Sequence, residues 1–171
     1  SLQAGDLVFR RGKSLESFAV VVAGSNNAFS HIGLIVMEGG KPFVIHAEPG
    51  KTSLVSDPVK KESLRSFLQA GKASHFAIYR SHLDLASIER VVAQARNFYI
   101  LQYRFDNSYD LQTDQHLYCT ELVLKAYQRG NHCFNSLLLR LDDINLLVAR
   151  RQILMPGAFL TSNLFYKICS R

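Results

Sequence analysis

The chain has 171 residues, of which 47% are hydrophobic and 20% charged, and its formal net charge is +6. This length suits one compact domain, predicted over residues 1–171, and the composition excludes a disordered, collagen-like or coiled-coil chain. The spread-out positive charge favours an acidic partner, with a basic surface that binds no ligand as the alternative, and it predicts no nucleic-acid binding. No apolar run reaches the roughly 20 residues of a membrane-spanning helix.

The first half of the chain shows the short apolar runs of β-strands. Gly5-Asp6 is a turn that opens the first run, and Gly39-Gly40 marks the tip of a hairpin between the next two. Ser14 is placed to cap a helix between the first and second runs. The predicted strands cover residues 7–9, 31–36, 42–47 and 75–80, and the early helix covers residues 15–23.

Helical patterns dominate the second half. The clearest begins at Asp84, after which apolar residues recur at helical spacing as far as Phe98. Because strands come first and helices follow, the sequence predicts an α+β domain with a small, largely antiparallel sheet. The other predicted helices cover residues 61–70, 119–129 and 137–147, and residues 156–168 are expected to form a further helix or extended segment.

Cys119 is the first candidate for chemistry, because it lies where a polar loop becomes an amphipathic helix. A thiol at a helix N-terminus feels the positive end of the helix dipole, which favours the reactive thiolate and lowers the thiol pKa. The alternative is a buried structural cysteine. The local sequence therefore makes Cys119 a candidate nucleophile with a lowered thiol pKa, and it leaves the structural interpretation open.

Two histidines stand at neighbouring ends of the predicted hairpin. His31 opens one strand and His46 lies near the end of the next, so one imidazole can orient the other. Glu48 is a rival for the orienting role, because side chains two positions apart on a strand share a face. Asp6 and Tyr118 are candidates for binding substrate or bordering the oxyanion site, although Asp6 also suits its own turn and Tyr118 a core position.

The remaining histidines and cysteines show no comparable context. An odd total of three cysteines excludes a fully paired disulfide framework, and no Cys/His cluster has zinc spacing, so no cofactor is expected. Cys133 and Cys169 can pair in an oxidising compartment, but two free thiols are the preferred interpretation. The histidines interpreted as structural or surface residues are His75, His82, His116 and His132.

Three ordered motifs together resemble a known family. Gly5-Asp6-Leu7, His31-Ile32-Gly33 and Ile45-His46-Ala47 are similar to the sheet of NlpC/P60 papain-like peptidases, in which the nucleophile normally precedes the base. Here Tyr118-Cys119-Thr120-Glu121 follows the sheet, an order that resembles the circularly permuted YiiX/YaeF-like amidases. The resemblance spans roughly residues 5–130, and residues 156–165 resemble the tail that closes over the domain in that branch.

The resemblance implies a permuted papain-like fold, with a small antiparallel sheet or barrel packed against helices. It implies a cysteine amidase or peptidase with Cys119 as nucleophile, His31 as base and His46 as third residue. The implied substrate is a peptide or amino-acid conjugate, peptidoglycan-derived or lipid-linked. The bacterial envelope or periplasm after removal of a leader is the expected compartment, with the cytoplasm as the alternative, and the oligomeric state is left open.

Two other functions are consistent with the same motifs. An acyltransferase or thioesterase of the lecithin–retinol acyltransferase type would use the same Cys/His pair on a lipid. A binding module without activity would keep the fold alone, although the intact Cys119, His31 and His46 set argues against it.

Overall fold

The computed structural model of the chain describes residues 1–13, 28–50, 57–131, 134, 141–146 and 149–171. Within these residues, strands come mainly from the first half of the chain and the two longer helices follow them. The strands are β1 (Leu7–Gly12), β2 (His31–Glu38), β3 (Lys41–His46), β4 (Lys60–Ser63), β5 (Ala73–Ser81), β6 (Leu141–Leu146), β7 (Ala149–Leu154) and β8 (Phe165–Ser170). The helices are α1 (Leu64–Phe67), α2 (Leu85–Ile100), α3 (Cys119–Gly130) and α4 (Pro156–Leu160).

Six strands form one open sheet in the order β4-β3-β2-β1-β5-β8, and β6 pairs with β7 in a separate hairpin. Every neighbouring pair in the large sheet is antiparallel. This arrangement confirms the predicted α+β class with a largely antiparallel sheet.

The two faces of the large sheet bury different sets of residues. One face packs against α2 and α3 in the main core and carries Leu7, Ile32 and Ile45. Val8, Ile35 and Val44 point to the opposite face, where a smaller apolar cluster forms around Phe67 of α1. Because successive side chains of a strand point to opposite faces, Arg10, His31 and His46 lie on the same face as Val8, Ile35 and Val44.

Both longer helices begin where the sequence predicts. Asp84 caps α2 by accepting a hydrogen bond from the Ser87 amide at 2.7 Å. At the start of α3, the amide of Tyr118 donates to the Glu121 carboxylate at 3.2 Å. This bond satisfies a helix-entry amide and fixes the residue that precedes Cys119.

Two helix predictions are wrong in part. Residues 60–63 form β4, and only Leu64–Phe67 of the helix predicted over 61–70 is helical, because pairing with β3 takes the backbone of Lys61 and Glu62. Residues 141–146 of the helix predicted over 137–147 form β6, because strand β7 supplies hydrogen-bonding partners along its whole length. The helix predicted over residues 15–23 lies outside the described residues.

Candidate active site

Strand register brings five polar residues of four neighbouring strands close together. Arg10 of β1 lies opposite His31 of β2, and His46 of β3 lies opposite Lys60 of β4. Glu62 lies two residues beyond Lys60 and therefore shares its face. Arg10, His31 and His46 are all buried, so their polar groups need partners within the protein.

The two imidazoles are hydrogen-bonded to each other. Nε2 of His31 lies 2.9 Å from Nδ1 of His46, and their rings meet edge to face. Nε2 of His46 lies 3.1 Å from Oε1 of Glu62. The three side chains therefore form a continuous series that ends at a carboxylate.

Gly33 makes this approach of the two strands possible. A Cβ atom at Gly33 would lie 2.3 Å from Cγ1 of Val44 and 3.2 Å from Cβ of His46. Any side chain at Gly33 would therefore press directly on the strand that holds His46. The glycine of the His-Ile-Gly motif thus has a packing reason that is tied to the site.

The charged groups around the imidazoles are paired with one another. Oε2 of Glu62 accepts from the Ser66 hydroxyl at 2.5 Å and from Nζ of Lys72 at 2.8 Å. Arg10 donates to Oε1 of Glu48 at 2.7 Å, and its guanidinium lies 4.3 Å from the centre of the Phe67 ring. The structure therefore places His46 against His31, whereas Glu48, the rival third residue, binds Arg10.

Cys119 is half-buried at the first position of α3, beside the start of β2. Its sulfur is within reach of the backbone amide of Ile32, the residue that follows His31, and hydrogen bonding from the amides of Ile32 and Thr120 favours the thiolate. The positive charge of Arg10 acts in the same direction. The late helix and the early strand therefore meet, as the permuted order predicts.

The prediction of a lowered thiol pKa at Cys119 is wrong. Burial is the largest influence, and it raises the pKa of the thiol to about 11 from an ordinary 9.0, against the opposing effect of the amides and Arg10. A helix N-terminus lowers a thiol pKa only when the helix dipole stabilises the thiolate by more free energy than desolvation of the thiolate costs.

Burial also keeps both histidines neutral at neutral pH. It is the largest cause of the lowered pKa of His31, and the nearby charge of Arg10 lowers that pKa further. The pKa of His46 is lowered by burial too, although its hydrogen bond to Glu62 opposes the change. The hydrogen bond from His46 holds the pKa of the Glu62 carboxyl well below its usual range, so this group is ionised.

Asp6 and Tyr118 do not join these residues. Asp6 is buried at the opposite end of β1 from Arg10, where Nε and Nη2 of Arg80 bind its two carboxylate oxygens at 2.7 and 2.8 Å. The buried Tyr118 ring packs in the main core, and its hydroxyl accepts from the Leu154 amide at 3.2 Å. Asp6 thus forms an ion pair with Arg80, and Tyr118 anchors the start of α3 in the core.

Sequence reasoning missed Glu62 and Arg10. Glu62 lies within the helix predicted over residues 61–70, and its place two residues from Lys60 on a strand beside β3 follows only from the strand pairing. Arg10 directly follows the strand predicted over residues 7–9, and extending that strand by one residue would have placed Arg10 on the same face as Val8. Cys169 is a free, exposed cysteine on β8, whereas Cys133, the other thiol predicted to be free, lies outside the described residues.

The described residues contain no group of three or more His, Cys, Asp or Glu side chains arranged to hold a metal ion. Their helices also include none that combines the length and the hydropathy of a membrane span.

Comparisons with known proteins agree with the fold. Residues 1–169 match the family model described as "Permuted papain-like amidase enzyme, YaeF/YiiX, C92 family". A crystal structure described as the metalloprotein yiiX from Escherichia coli O157:H7 is 20% identical, with a TM-score of 0.76 over 99% of this chain and 97% of that one. No curated protein matches the chain.

Proposed function

Because the chain belongs to the permuted papain-like amidase family, we propose that it hydrolyses an amide bond through a thioester formed on Cys119. The proposed substrate is a small peptide or a cell-wall-type amino-acid conjugate, in the bacterial envelope or periplasm. The observation that supports this proposal most strongly is the meeting of the Cys119 helix with the start of β2, where His31 is hydrogen-bonded to His46 at 2.9 Å.

In the proposed reaction, Cys119 attacks the carbonyl carbon of the scissile amide while its proton passes to His31. Nε2 of His31 faces His46, so Nδ1 is the nitrogen that takes the proton. Burial disfavours a separate thiolate and a separate imidazolium, so proton transfer accompanies the attack rather than preceding it. The imidazolium then protonates the leaving amine, and water activated by His31 hydrolyses the thioester.

The oxyanion that develops during attack needs donors held in place beforehand. Backbone amides in the first turn of a helix have no intrahelical partner, so the amide of Cys119 is proposed as one donor. Loss of a single such donor costs roughly 3 kcal/mol of transition-state stabilisation in comparable enzymes. Thr120 supports this turn, because its hydroxyl donates to the Leu154 carbonyl at 2.5 Å.

Trapping of the acyl-enzyme tests the proposal. The protein is incubated with 4-nitrophenyl acetate, aminoacyl 4-nitroanilides and muropeptide fragments, and the acylated peptide is identified by mass spectrometry. We expect acylation at Cys119, with its loss in C119A and H31A and its retention in C169S, which removes an exposed cysteine. Turnover that survives in C119A would contradict the nucleophile assignment, and acyl transfer to an added amine faster than to water would indicate a transferase.

A further inference from the structure

The series of hydrogen bonds beyond His31 ends at a side chain with an unusually complete set of partners. We propose that Glu62 is a positioning residue that fixes the tautomers of both histidines and so leaves Nδ1 of His31 unprotonated to act as the base. This inference rests on the proposed function for the role of His31, and it goes beyond it by assigning a fourth member to the site.

The first step concerns the carboxylate itself. Oε2 of Glu62 is occupied by two donors, the hydroxyl of Ser66 and the ammonium of Lys72. Oε1 lies 3.1 Å from His46 and is a pure acceptor when Glu62 is ionised. Nε2 of His46 must therefore carry the proton in this bond.

The second step follows from the neutrality of His46. A neutral imidazole has one N–H and one bare nitrogen, so protonation at Nε2 leaves Nδ1 as an acceptor. Nδ1 of His46 lies 2.9 Å from Nε2 of His31, which must then be the donor. Neutral His31 carries its proton on Nε2, and its Nδ1 is bare.

Without this constraint the series can reverse. If Nδ1 of His46 were protonated, it would donate to Nε2 of His31, and the proton of His31 would lie on Nδ1. Nδ1 could then no longer accept the thiol proton. Glu62 prevents this arrangement, because an ionised carboxylate facing a bare Nε2 would lose its donor.

The proton balance in the attack step uses the same series. The S–H bond of Cys119 breaks and an N–H bond forms at Nδ1 of His31, while the sulfur electron pair forms the bond to carbon. The positive charge on His31 is stabilised through Nε2–H and His46 by the negative charge of Glu62. The other charged groups that act on the two histidines are Arg10, Lys60 and Lys72, which oppose this charge, and Glu48, which supports it.

The tautomers can be read directly from proton–nitrogen correlation spectra of the isotope-labelled imidazoles at neutral pH. In the unaltered protein we expect both His31 and His46 to be protonated at Nε2. Protonation of His46 at Nδ1 would overturn the inference without any substitution. The measurement needs no substrate, so it does not depend on whether the proposed function is correct.

Substitution adds a kinetic test with a matched control. E62L removes the acceptor, whereas E62Q keeps a carbonyl oxygen for Nε2–H of His46. As the control, E38L removes a comparable part-buried carboxylate at the end of β2, where Glu38 binds Lys61 and Arg96. With 4-nitrophenyl acetate as probe, we expect E62L to lower the acylation rate of Cys119 about 10- to 100-fold, with mixed tautomers at His46.

In contrast, E62Q is expected to retain the tautomers and most of the rate, and E38L to match the unaltered protein. If Cys119 is acylated at the unaltered rate in E62L but is not acylated in H31A, the proposed role of Glu62 is wrong and the proposed function stands. If H31A and C119A are acylated at the same total rate as the unaltered protein, acylation does not depend on Cys119. The proposed function then fails, whatever the result for Glu62.

Discussion

Alkylation of Cys119 by iodoacetamide as a function of pH measures how burial acts on the nucleophile, because the thiolate is the reactive form. The structure gives this thiol a pKa of about 11, against an ordinary 9.0. At pH 8 a thiol with a pKa of about 9 is roughly one-tenth ionised, and one with a pKa of about 11 roughly one-thousandth. The two-unit rise therefore predicts alkylation about 100-fold slower than that of an unperturbed thiol at the same pH.

The rate is measured by mass spectrometry of the modified peptides, with the exposed Cys169 as a reference in the same sample. We expect the Cys119 rate to rise about tenfold with each pH unit through the alkaline range, because the thiolate fraction does so below the pKa. H31A is the informative variant. Because His31 is neutral at these pH values, its removal should leave the alkylation profile of Cys119 nearly unchanged.

A different result would show that the two residues rest as an ion pair. A thiolate held by an imidazolium would alkylate rapidly on a plateau between mildly acidic and neutral pH, and H31A would abolish that plateau. This outcome would refute the argument that desolvation outweighs the helix-terminus amides and the charge of Arg10 at this site.

Three further predictions test the packing and electrostatics around the site. G33A should destabilise the protein by about 1–3 kcal/mol in denaturant unfolding, because the new Cβ meets Val44, and a change below 0.5 kcal/mol would contradict this. T120V should cost about 1–2 kcal/mol, because it leaves the buried Leu154 carbonyl without its hydroxyl donor. Burial raises the pKa of Glu121 to about 7, so this group binds a proton more tightly in the folded state and its effect on stability worsens as pH rises from about 4.5 to 7. E121Q should remove up to about 3 kcal/mol of that pH dependence, and an unchanged slope would show that Glu121 titrates normally.

The sheet was predictable because its strands carry their own signals. Strands β2 and β3 are short runs of mainly apolar residues, and they are joined by two glycines with positive φ, Gly39 and Gly40. Strand β4 has no such signal, since Lys60–Ser63 is polar and gains its strand conformation from pairing with β3. Likewise, β6 takes its strand conformation from hairpin pairing with β7, a contact that the helical spacing of its apolar residues does not reveal.

The proximity of the candidate residues could be predicted from the sequence, whereas their electrostatics could not; their catalytic roles stay a prediction. Motif order and strand register place His31 and His46 side by side, and the helix-start position places Cys119 beside β2. The degree of burial, however, depends on how the whole fold covers the thiol, and it reverses the expected direction of the pKa change. Glu62 was missed for a related reason, because its role arises from a pairing that the sequence pattern disguised.

Burial thus favours the neutral forms of the Cys119 thiol and the His31 ring, so the charges near them lie on other side chains. The ionised side chains are paired with one another, Arg10 with Glu48 and Lys72 with Glu62, while the Cys119 thiol and the His31 ring rest in their neutral forms. A neutral thiol reacts slowly with oxidants and unrelated electrophiles, so in the proposed reaction Cys119 would be protected until a substrate carbonyl lies against it. In the proposed reaction, proton transfer at that moment would create a positive charge on His31, and the charge of Glu62, which is hydrogen-bonded to His46, would already be in place to stabilise it.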